Sequence, residues 1–270
     1  MNVLVTGAAS GIGAATVDLL LEKGHSVIGI DVNEMKKREG LTSFAVDITD
    51  EGALYAVSDR LLEECISLDV IISCAGIHRM ASLVEGEISE MRRVVDVNLI
   101  GAMTVNRAFF KHLVPKGRIV IITSEVAPLD PLAFNGLYSL SKTALDSYAE
   151  ALRMEVGLLG VSVVTVRPGA VETPLAASSL TATDRLASET VLYKNQATHF
   201  FGLVRKFMGK PMPAKKFAPT VLRAATARHP RLSYSKNRNP GLILLSMLPL
   251  RLQCGIIKLL LNRKPRKTQS

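Results

Sequence analysis

The fold is decided near the start of the chain by Asn2-Val3-Leu4-Val5-Thr6-Gly7-Ala8-Ala9-Ser10-Gly11-Ile12-Gly13. The first residues form a short apolar run typical of a buried strand, and a helical pattern follows the glycines and ends at Gly24. Small residues at such a turn let the backbone approach a phosphate, and the helix N-terminus offers free N–H groups and a positive dipole end. The stretch therefore predicts a strand, a pyrophosphate-binding turn and a helix.

The same alternation of strand and helix continues along the chain. Further apolar runs predict strands at 26–30, 42–46, 69–73, 117–123, 161–166 and 232–234. Helices are predicted at about 50–65 and 89–113, in a segment that ends near 159, and at about 219–228. Since the strands lack polar alternation, both faces of their sheet are covered. We expect an α/β fold, a single-domain Rossmann-type doubly wound parallel sheet of about seven strands with helices on both faces, over residues 1–262.

The composition indicates how many hydrophobic cores the chain can form and in which cellular compartment it works. The 270 residues, 48% of them hydrophobic, suffice for one large core. Three cysteines form no disulfide framework and fit a reducing compartment. Met1 and Asn2 lead directly into an apolar run, without the basic region of a signal peptide, so we expect a cytoplasmic protein.

Two polar residues lie four apart in one predicted helix. Tyr138 and Lys142 share a face of that helix. An ammonium near a phenol stabilises the phenolate, so we expect Lys142 to lower the pKa of Tyr138 from its usual value of about 10. Ser124, at the end of the preceding strand, could meet the pair at one substrate oxygen. Taken alone, such a pair is far more often part of an ordinary helix surface.

The second predicted strand ends at Asp31. A carboxylate there can bind the hydroxyls of an adenosine ribose and would repel a 2′-phosphate. Ser10 and Val32, where a 2′-phosphate would favour a cation, are uncharged. The sequence therefore predicts NAD rather than NADP.

In this order and at this spacing, the motifs resemble those of the short-chain dehydrogenase/reductase family, strongly over residues 2–174 and loosely to about 262. The resemblance implies a catalytic tetrad of Asn98, Ser124, Tyr138 and Lys142. It also implies cofactor contacts, with Asp47 at the adenine and Pro168, Gly169 and Thr173 at the nicotinamide carboxamide. The full predicted cofactor set is Gly7, Ser10, Gly11, Ile12, Gly13, Asp31, Asp47, Ile48, Ala75, Gly76, Asn98, Tyr138, Lys142, Pro168, Gly169, Val171 and Thr173. No metal site is predicted.

The sequence departs from the family pattern in two places. Ser73-Cys74-Ala75-Gly76 stands where the family has Asn-Asn-Ala-Gly, so the hydrogen bonding of both asparagines must be rebuilt. Residues 32–41 are too few for a full crossover helix, which could open the adenine end of the site.

The resemblance implies hydride transfer between a nicotinamide and a carbonyl/alcohol pair. Tyr138 would move the hydroxyl proton, Ser124 would donate a hydrogen bond to the substrate oxygen, and Lys142 would also bind the nicotinamide ribose. Asn98 would hold a water that connects Lys142 to solvent. Glu125 could face the substrate or lie in a solvated loop. His78 could line the pocket, but a lone histidine is more often structural.

The charge of the chain is strongly asymmetric. Residues 1–200 hold 17 Lys/Arg and 24 Asp/Glu, whereas residues 201–270 hold 16 Lys/Arg and no acid. Such a split calls for an acidic partner or a membrane surface. The family resemblance implies that residues 174–213 form a lid over the substrate. The apolar and cationic residues of this segment suit a hydrophobic substrate, or else the segment packs on the core.

The last apolar run, about 240–262, is interrupted by Pro249, Arg251, Gln253 and Lys258 and is a poor bilayer-spanning segment. Two short amphipathic helices on an anionic membrane are one interpretation. Helices buried within the subunit, or at the interface of a homodimer or homotetramer, are the other. A basic tail at 263–270 is predicted to be disordered.

The sequence therefore predicts an NAD-dependent alcohol dehydrogenase or ketoreductase that acts on a lipophilic substrate of steroid, retinoid or long-chain type. A 3-oxoacyl-thioester reductase is the alternative among enzymes. A non-catalytic NAD-sensing regulator is disfavoured by the complete tetrad, and no nucleic-acid partner is expected.

Overall fold

A computed structural model of the protein describes residues 1–207 and 210–262, with the side chains of 177–184 and 205–207 left out. The basic tail at 263–270 lies outside the described residues, as do two residues of the predicted lid. The strands are β1 (Asn2–Thr6), β2 (Ser26–Asp31), β3 (Leu41–Ala45), β4 (Leu68–Ser73), β5 (Leu113–Ile122), β6 (Ser162–Pro168), β7 (Val171–Glu172), β8 (Met212–Pro213) and β9 (Ser233–Lys236).

The helices cover both faces of the sheet and its carboxyl edge. They are α1 (Gly11–Glu22), α2 (Glu51–Glu63), α3 (Ile88–Val95), α4 (Ala102–Phe110), α5 (Gly136–Gly157), α6 (Pro174–Glu189), α7 (Lys194–Phe207), α8 (Ala214–Thr226), α9 (Pro240–Ser246) and α10 (Leu250–Leu261).

The main sheet has seven parallel strands in the order β3-β2-β1-β4-β5-β6-β9. The chain passes from β1 to β2 on one side and reaches β4 on the other, so the strand order reverses beside β1. Ligands of such sheets bind at the carboxyl ends of the strands where the order reverses. The predicted doubly wound α/β domain is confirmed.

Successive strand residues pack on opposite faces, as the period of two requires. Val3 and Val5 of β1 belong to a buried cluster with Phe217 of α8, whereas Leu4 packs with Leu54 of α2 on the other face. Both faces are therefore apolar, which explains the lack of alternation in the sequence.

The helix predicted over 89–113 is interrupted. Between α3 and α4 the residues Asp96–Gly101 form a π-helical segment, and Asn98 lies within it. Such segments are rare and often mark functional sites. The prediction of one continuous helix was wrong because the side chain of Asn98 bonds to a loop outside the helix.

A layer of helices lies above the carboxyl edge. Side chains from α6, α7 and α10 share one buried cluster, which includes Leu186, Phe200 and Leu261. None of the helices in residues 1–207 and 210–262 combines the length and the apolarity needed to cross a bilayer.

Candidate active site

The turn after β1 brings backbone close to backbone. Gly7 and Gly11 have φ of +66° and +53°, which favours glycine. A Cβ on Gly13 would lie 2.0 Å from the carbonyl oxygen of Gly7, so α1 can start this close to β1 only with glycine there. Ser10 is the N-cap of α1, and within the described residues its side chain makes no capping hydrogen bond. The turn thus offers backbone N–H groups to an anion.

Two carboxylates lie beside this turn. Buried Asp31 accepts hydrogen bonds from the backbone N–H of Ala9 at 3.0 Å and of Asn33 at 2.9 Å. Asp47 accepts hydrogen bonds from the backbone N–H of Thr49 at 2.9 Å and from its hydroxyl at 2.8 Å. Both carboxylates are therefore fixed at strand ends, on the cavity described next.

A cavity of about 730 Å³ runs from the glycine turn to the helical layer. The predicted site residues that line it are Gly7, Ser10, Gly11, Ile12, Gly13, Asp31, Asp47, Ile48, Ala75, Gly76, Ser124, Tyr138, Lys142, Pro168, Gly169, Val171 and Thr173. The glycine cradle, the open helix N-terminus and the carboxylate at the end of β2 fit a nicotinamide dinucleotide.

Asn98 is fully buried behind the cavity wall. Its Oδ1 accepts a hydrogen bond from the N–H of Ile77 at 2.7 Å, and its Nδ2 donates to the carbonyl of Ile77 at 2.9 Å and to Ser141 Oγ at 3.0 Å. A Cβ on Gly76 would lie 3.1 Å from Asn98 Oδ1 and 3.3 Å from Lys142 Nζ. Asn98 thus holds the loop that separates it from the cavity, and its role in a proton relay stays a prediction.

Ser124, Tyr138 and Lys142 converge although they come from different elements. The side chains of Ser124 and Tyr138 both line the cavity, and the Ser124 hydroxyl lies close enough to act on the pKa of Tyr138. Lys142 Nζ lies 6.0 Å from the centre of the Tyr138 ring and donates a hydrogen bond to the carbonyl of Ile122 at 3.3 Å. The end of β5 and the first turns of α5 therefore bring two hydroxyls and an ammonium to one wall.

Burial dominates the titration of this pair. It raises the pKa of Tyr138 to about 12 against the opposing hydrogen bond from Ser124, and the negative charge of Glu125 raises this pKa further. Burial also lowers the pKa of Lys142 to about 8. We expected Lys142 to lower the pKa of Tyr138. For the protein without a bound cofactor this expectation is wrong, because burial raises that pKa. At neutral pH the phenol holds its proton.

Glu125 and His78, which the sequence left open, both line the cavity. Glu125 Oε2 accepts a hydrogen bond from the backbone N–H of Asn239 at 2.6 Å, and burial raises the pKa of Glu125. The alternative of a solvated loop carboxylate is wrong. The ring of His78 lies 4.3 Å from that of Tyr138, and burial lowers the pKa of His78 to about 4.

Thr6 and Asn106 hold the segment in which Ser73 and Cys74 stand at the positions of the two asparagines. Its hydroxyl oxygen accepts hydrogen bonds from the backbone N–H of Cys74 at 3.1 Å and of Ala75 at 3.2 Å. Ser73 donates a hydrogen bond to Asn106 Oδ1 at 3.1 Å. Cys74 lines the cavity, and burial raises the pKa of its thiol to about 12, so the thiol is neutral.

The part of the cavity away from the glycine turn is apolar. The sequence predicted only some of the residues that line it. The apolar lining there includes Met80, Leu132, Phe200, Leu203, Val204, Leu242, Leu245, Ile256, Ile257, Leu260 and Leu261. Phe200 and Leu203 were expected in the lid. The α9 and α10 contributions were missed, because an amphipathic pattern shows that a helix has an apolar face but not what that face covers.

Comparison with known proteins agrees with this arrangement. The family model described as short chain dehydrogenase matches residues 1–184. The NADPH-dependent 1-acyldihydroxyacetone phosphate reductase of Schizosaccharomyces pombe is 30% identical over 238 residues, 85% of this chain and 77% of the relative. The cis-4-hydroxycyclohexanecarboxylate dehydrogenase of Sinomonas cyclohexanicum is 34% identical over 185 residues, 64% of this chain and 74% of the relative.

A solved structure supports the same conclusion. A short chain dehydrogenase family protein from Francisella tularensis superimposes with a TM-score of 0.72 at 25% identity, covering 87% of this chain and 96% of that one. The region that the family model matches contains the glycine turn, Ser124, Tyr138 and the buried Lys142. The chain belongs to the short-chain dehydrogenase/reductase family of oxidoreductases, which use a nicotinamide cofactor.

Proposed function

We propose that the protein is an NAD-dependent oxidoreductase that interconverts a lipophilic secondary alcohol and its ketone. The observation that carries the proposal is the convergence of Ser124, Tyr138 and Lys142 on one cavity, which the glycine turn and a set of apolar side chains also line. A bound nicotinamide would supply or accept the hydride.

Ser124, Tyr138 and Lys142 would transfer the proton and stabilise the negative charge that develops during the reaction. Ser124 Oγ donates a hydrogen bond to that oxygen, where negative charge develops. In reduction Tyr138 gives the oxygen its proton, a task that suits a phenol whose pKa burial raises to about 12. For Tyr138 to take the proton in oxidation, the positive charges of Lys142 and of a bound NAD⁺ would have to lower its pKa below the value that it has in the protein alone.

The preference for NAD rests on Asp31. Its carboxylate is buried at the end of β2, beside the turn, where a 2′-phosphate would meet a like charge. Arg38, a cation of the following loop, is paired with Asp18. The S. pombe relative is named for NADPH, so the two cofactors have to be compared directly.

A lipophilic substrate is proposed because the far wall of the cavity is made of leucine, isoleucine, valine and phenylalanine side chains. The polar lining at the reacting end includes Ser124, Glu125 and Tyr138. The name of the S. pombe relative gives that enzyme an acylated ketone as substrate, which agrees with this proposal.

We also propose a homodimer or homotetramer. Large apolar side chains are exposed on α4 and α5, at Met103 and Leu140, which supports a subunit contact on that side of the molecule. Light scattering of the purified protein would measure the mass, and a monomer at all concentrations would contradict it.

The test is a panel of secondary alcohols assayed with NAD⁺ and NADP⁺ side by side. The panel holds 2-octanol, cyclohexanol, a 3-hydroxysteroid, a 3-hydroxyacyl thioester and sorbitol. We expect kcat/KM to rise with the apolar area of the alcohol, and NAD⁺ to be preferred by at least about tenfold, or ~1.4 kcal/mol. The Asp31→Asn variant, which keeps the size and removes the charge, should lose most of that preference.

Two outcomes would contradict the proposal. Turnover of sorbitol alone would exclude a lipophilic substrate, and turnover of the thioester alone would support the 3-oxoacyl reductase instead. A preference for NADP⁺ that Asp31→Asn leaves unchanged would overturn the role of Asp31.

A further inference from the structure

The last two helices expose an unusual concentration of large apolar side chains. Five of the described residues form what we call the α9–α10 face: Leu244 (67% exposed) and Met247 (75%) at the end of α9, and Leu252 (56%), Ile256 (37%) and Leu259 (65%), which helical spacing puts on one side of α10. Single exposed leucines are normal on protein surfaces, whereas a contiguous group marks an interaction site. The α9–α10 face therefore needs an apolar partner.

The surroundings of this face are positively charged. Arg251 and Lys258 are exposed on α10 itself. In the sequence, Arg263, Lys264, Arg266 and Lys267 follow α10 directly, and residues 201–270 contain no acid. If a second copy of this chain covered the face, the cations of the two copies would repel one another. An anionic bilayer instead offers negative headgroups to the cations and an apolar interior to the leucine side chains.

The other side of α10 forms part of the active-site cavity. Ile257, Leu260 and Leu261 line the cavity, and Ile256 lines it while remaining partly exposed on the α9–α10 face. Buried Gln253 fixes the helix, since its Nε2 donates hydrogen bonds to Asp130 Oδ2 at 2.7 Å and to the carbonyl of Leu248 at 2.8 Å. One helix thus separates the cavity from the α9–α10 face.

The loop between α6 and α7 also exposes apolar side chains. Val191 and Leu192 are 76% and 66% exposed. Gln196, in the first turn of α7, donates a hydrogen bond to Asn262 Oδ1 at the end of α10, at 2.8 Å. The proposed lid and the end of α10 are therefore joined by a hydrogen bond.

We propose that the α9–α10 face docks on an anionic membrane and that a lipophilic substrate passes from the bilayer into the cavity beside Ile256. The docking stands independently of the reaction, whereas the route of the substrate rests on the proposed function. A peripheral helix of this kind lies in the interface, with its cations at headgroup level and its apolar side chains among the acyl chains.

Flotation of the full chain with lipid vesicles tests the docking. We expect binding to vesicles of phosphatidylcholine with phosphatidylglycerol at low salt, weaker binding at high salt, and little binding to phosphatidylcholine alone. The triple variant Leu244→Ser, Met247→Ser, Leu259→Ser should reduce the bound fraction at least about tenfold, because three exposed apolar side chains no longer enter the bilayer.

The end of α5 provides a matched control. Met154, Leu158 and Leu159 are 77%, 87% and 67% exposed and lie outside the α9–α10 face. Their triple serine variant should bind vesicles as the wild type does. Thermal melting and NAD⁺ binding, unchanged in both triple variants, would show that neither has lost its fold.

The outcomes separate the docking from the reaction. No binding of the wild type to anionic vesicles at low salt, or equal binding by the α9–α10 variant, would overturn the docking. A wild type that floats but turns over no alcohol would instead refute the proposed function. If the α9–α10 variant became monomeric while the wild type was dimeric and did not float, the face would be a subunit interface.

Discussion

Replacement of Asn98 by alanine tests how the π-helical segment supports the site. The substitution removes hydrogen bonds to both the N–H and the carbonyl of Ile77, at 2.7 and 2.9 Å, and one to Ser141 Oγ. Ser141 Oγ still donates its hydrogen bond to the carbonyl of Tyr138 at 2.8 Å, so this hydroxyl loses only one of its two hydrogen bonds.

The magnitude follows from the groups left unpaired. A buried polar group without a partner costs about 1–3 kcal/mol. Ile77 lines the cavity and water can reach it, so the lower end applies to its two groups, about 2 kcal/mol in total. This corresponds to a fall in Tm of about 4–8 °C for a chain of this size. If the loop loses its position to the same extent, kcat/KM falls by up to about 30-fold.

Asn106→Ala is the matched control. Asn106 is also buried on the same helical stretch, where it accepts a hydrogen bond from Ser73 at 3.1 Å and donates to Tyr148 at 3.4 Å. Its loss should lower Tm without lowering kcat/KM. Thermal melts and steady-state oxidation of the best alcohol would measure both variants. If Asn98→Ala lowered Tm but kept kcat/KM within about twofold, Asn98 would be structural only and the reasoning would be refuted.

Two further predictions concern Glu125 and Gly13. Glu125→Gln keeps an acceptor for the N–H of Asn239 and removes a negative charge that raises the Tyr138 pKa, so the pH midpoint of alcohol oxidation should move down. The same charge change at exposed Glu150 should leave this midpoint in place, and a midpoint unmoved by Glu125→Gln would contradict the coupling. Gly13→Ala puts a Cβ 2.0 Å from the carbonyl oxygen of Gly7 and should abolish NAD⁺ binding measured by calorimetry, whereas Gly157→Ala, where a Cβ meets nothing within 4 Å, should bind normally.

Features that depend on local backbone chemistry could be predicted from the sequence. The turn from Thr6 to Gly13 needs positive φ and close backbone contact, and only glycine meets both requirements, so the residues themselves mark the turn. The apolar strands and their parallel order follow from the lack of polar alternation and from the helices between them.

Features that depend on distant contacts could not be predicted. Asn98 in the π-helical segment bonds to Ile77, which lies 21 residues away in the chain. The pKa of Tyr138 is set chiefly by burial, a property of the folded protein. Likewise, the pattern of α10 predicted an amphipathic helix, but the partition of its apolar residues between cavity and surface required the packing of α7 against it.

The central claim is that Tyr138 moves the proton in an alcohol–ketone interconversion. Tyr138→Phe removes the phenolic oxygen and keeps the ring against His78. The most direct test is its rate of NAD⁺ reduction with the best alcohol of the panel, alongside the Kd for NAD⁺. General acid–base catalysis contributes about 10²–10⁴-fold, so we expect at least that loss of turnover with a Kd within about twofold of the wild type. Turnover near the wild-type rate in Tyr138→Phe would contradict the account.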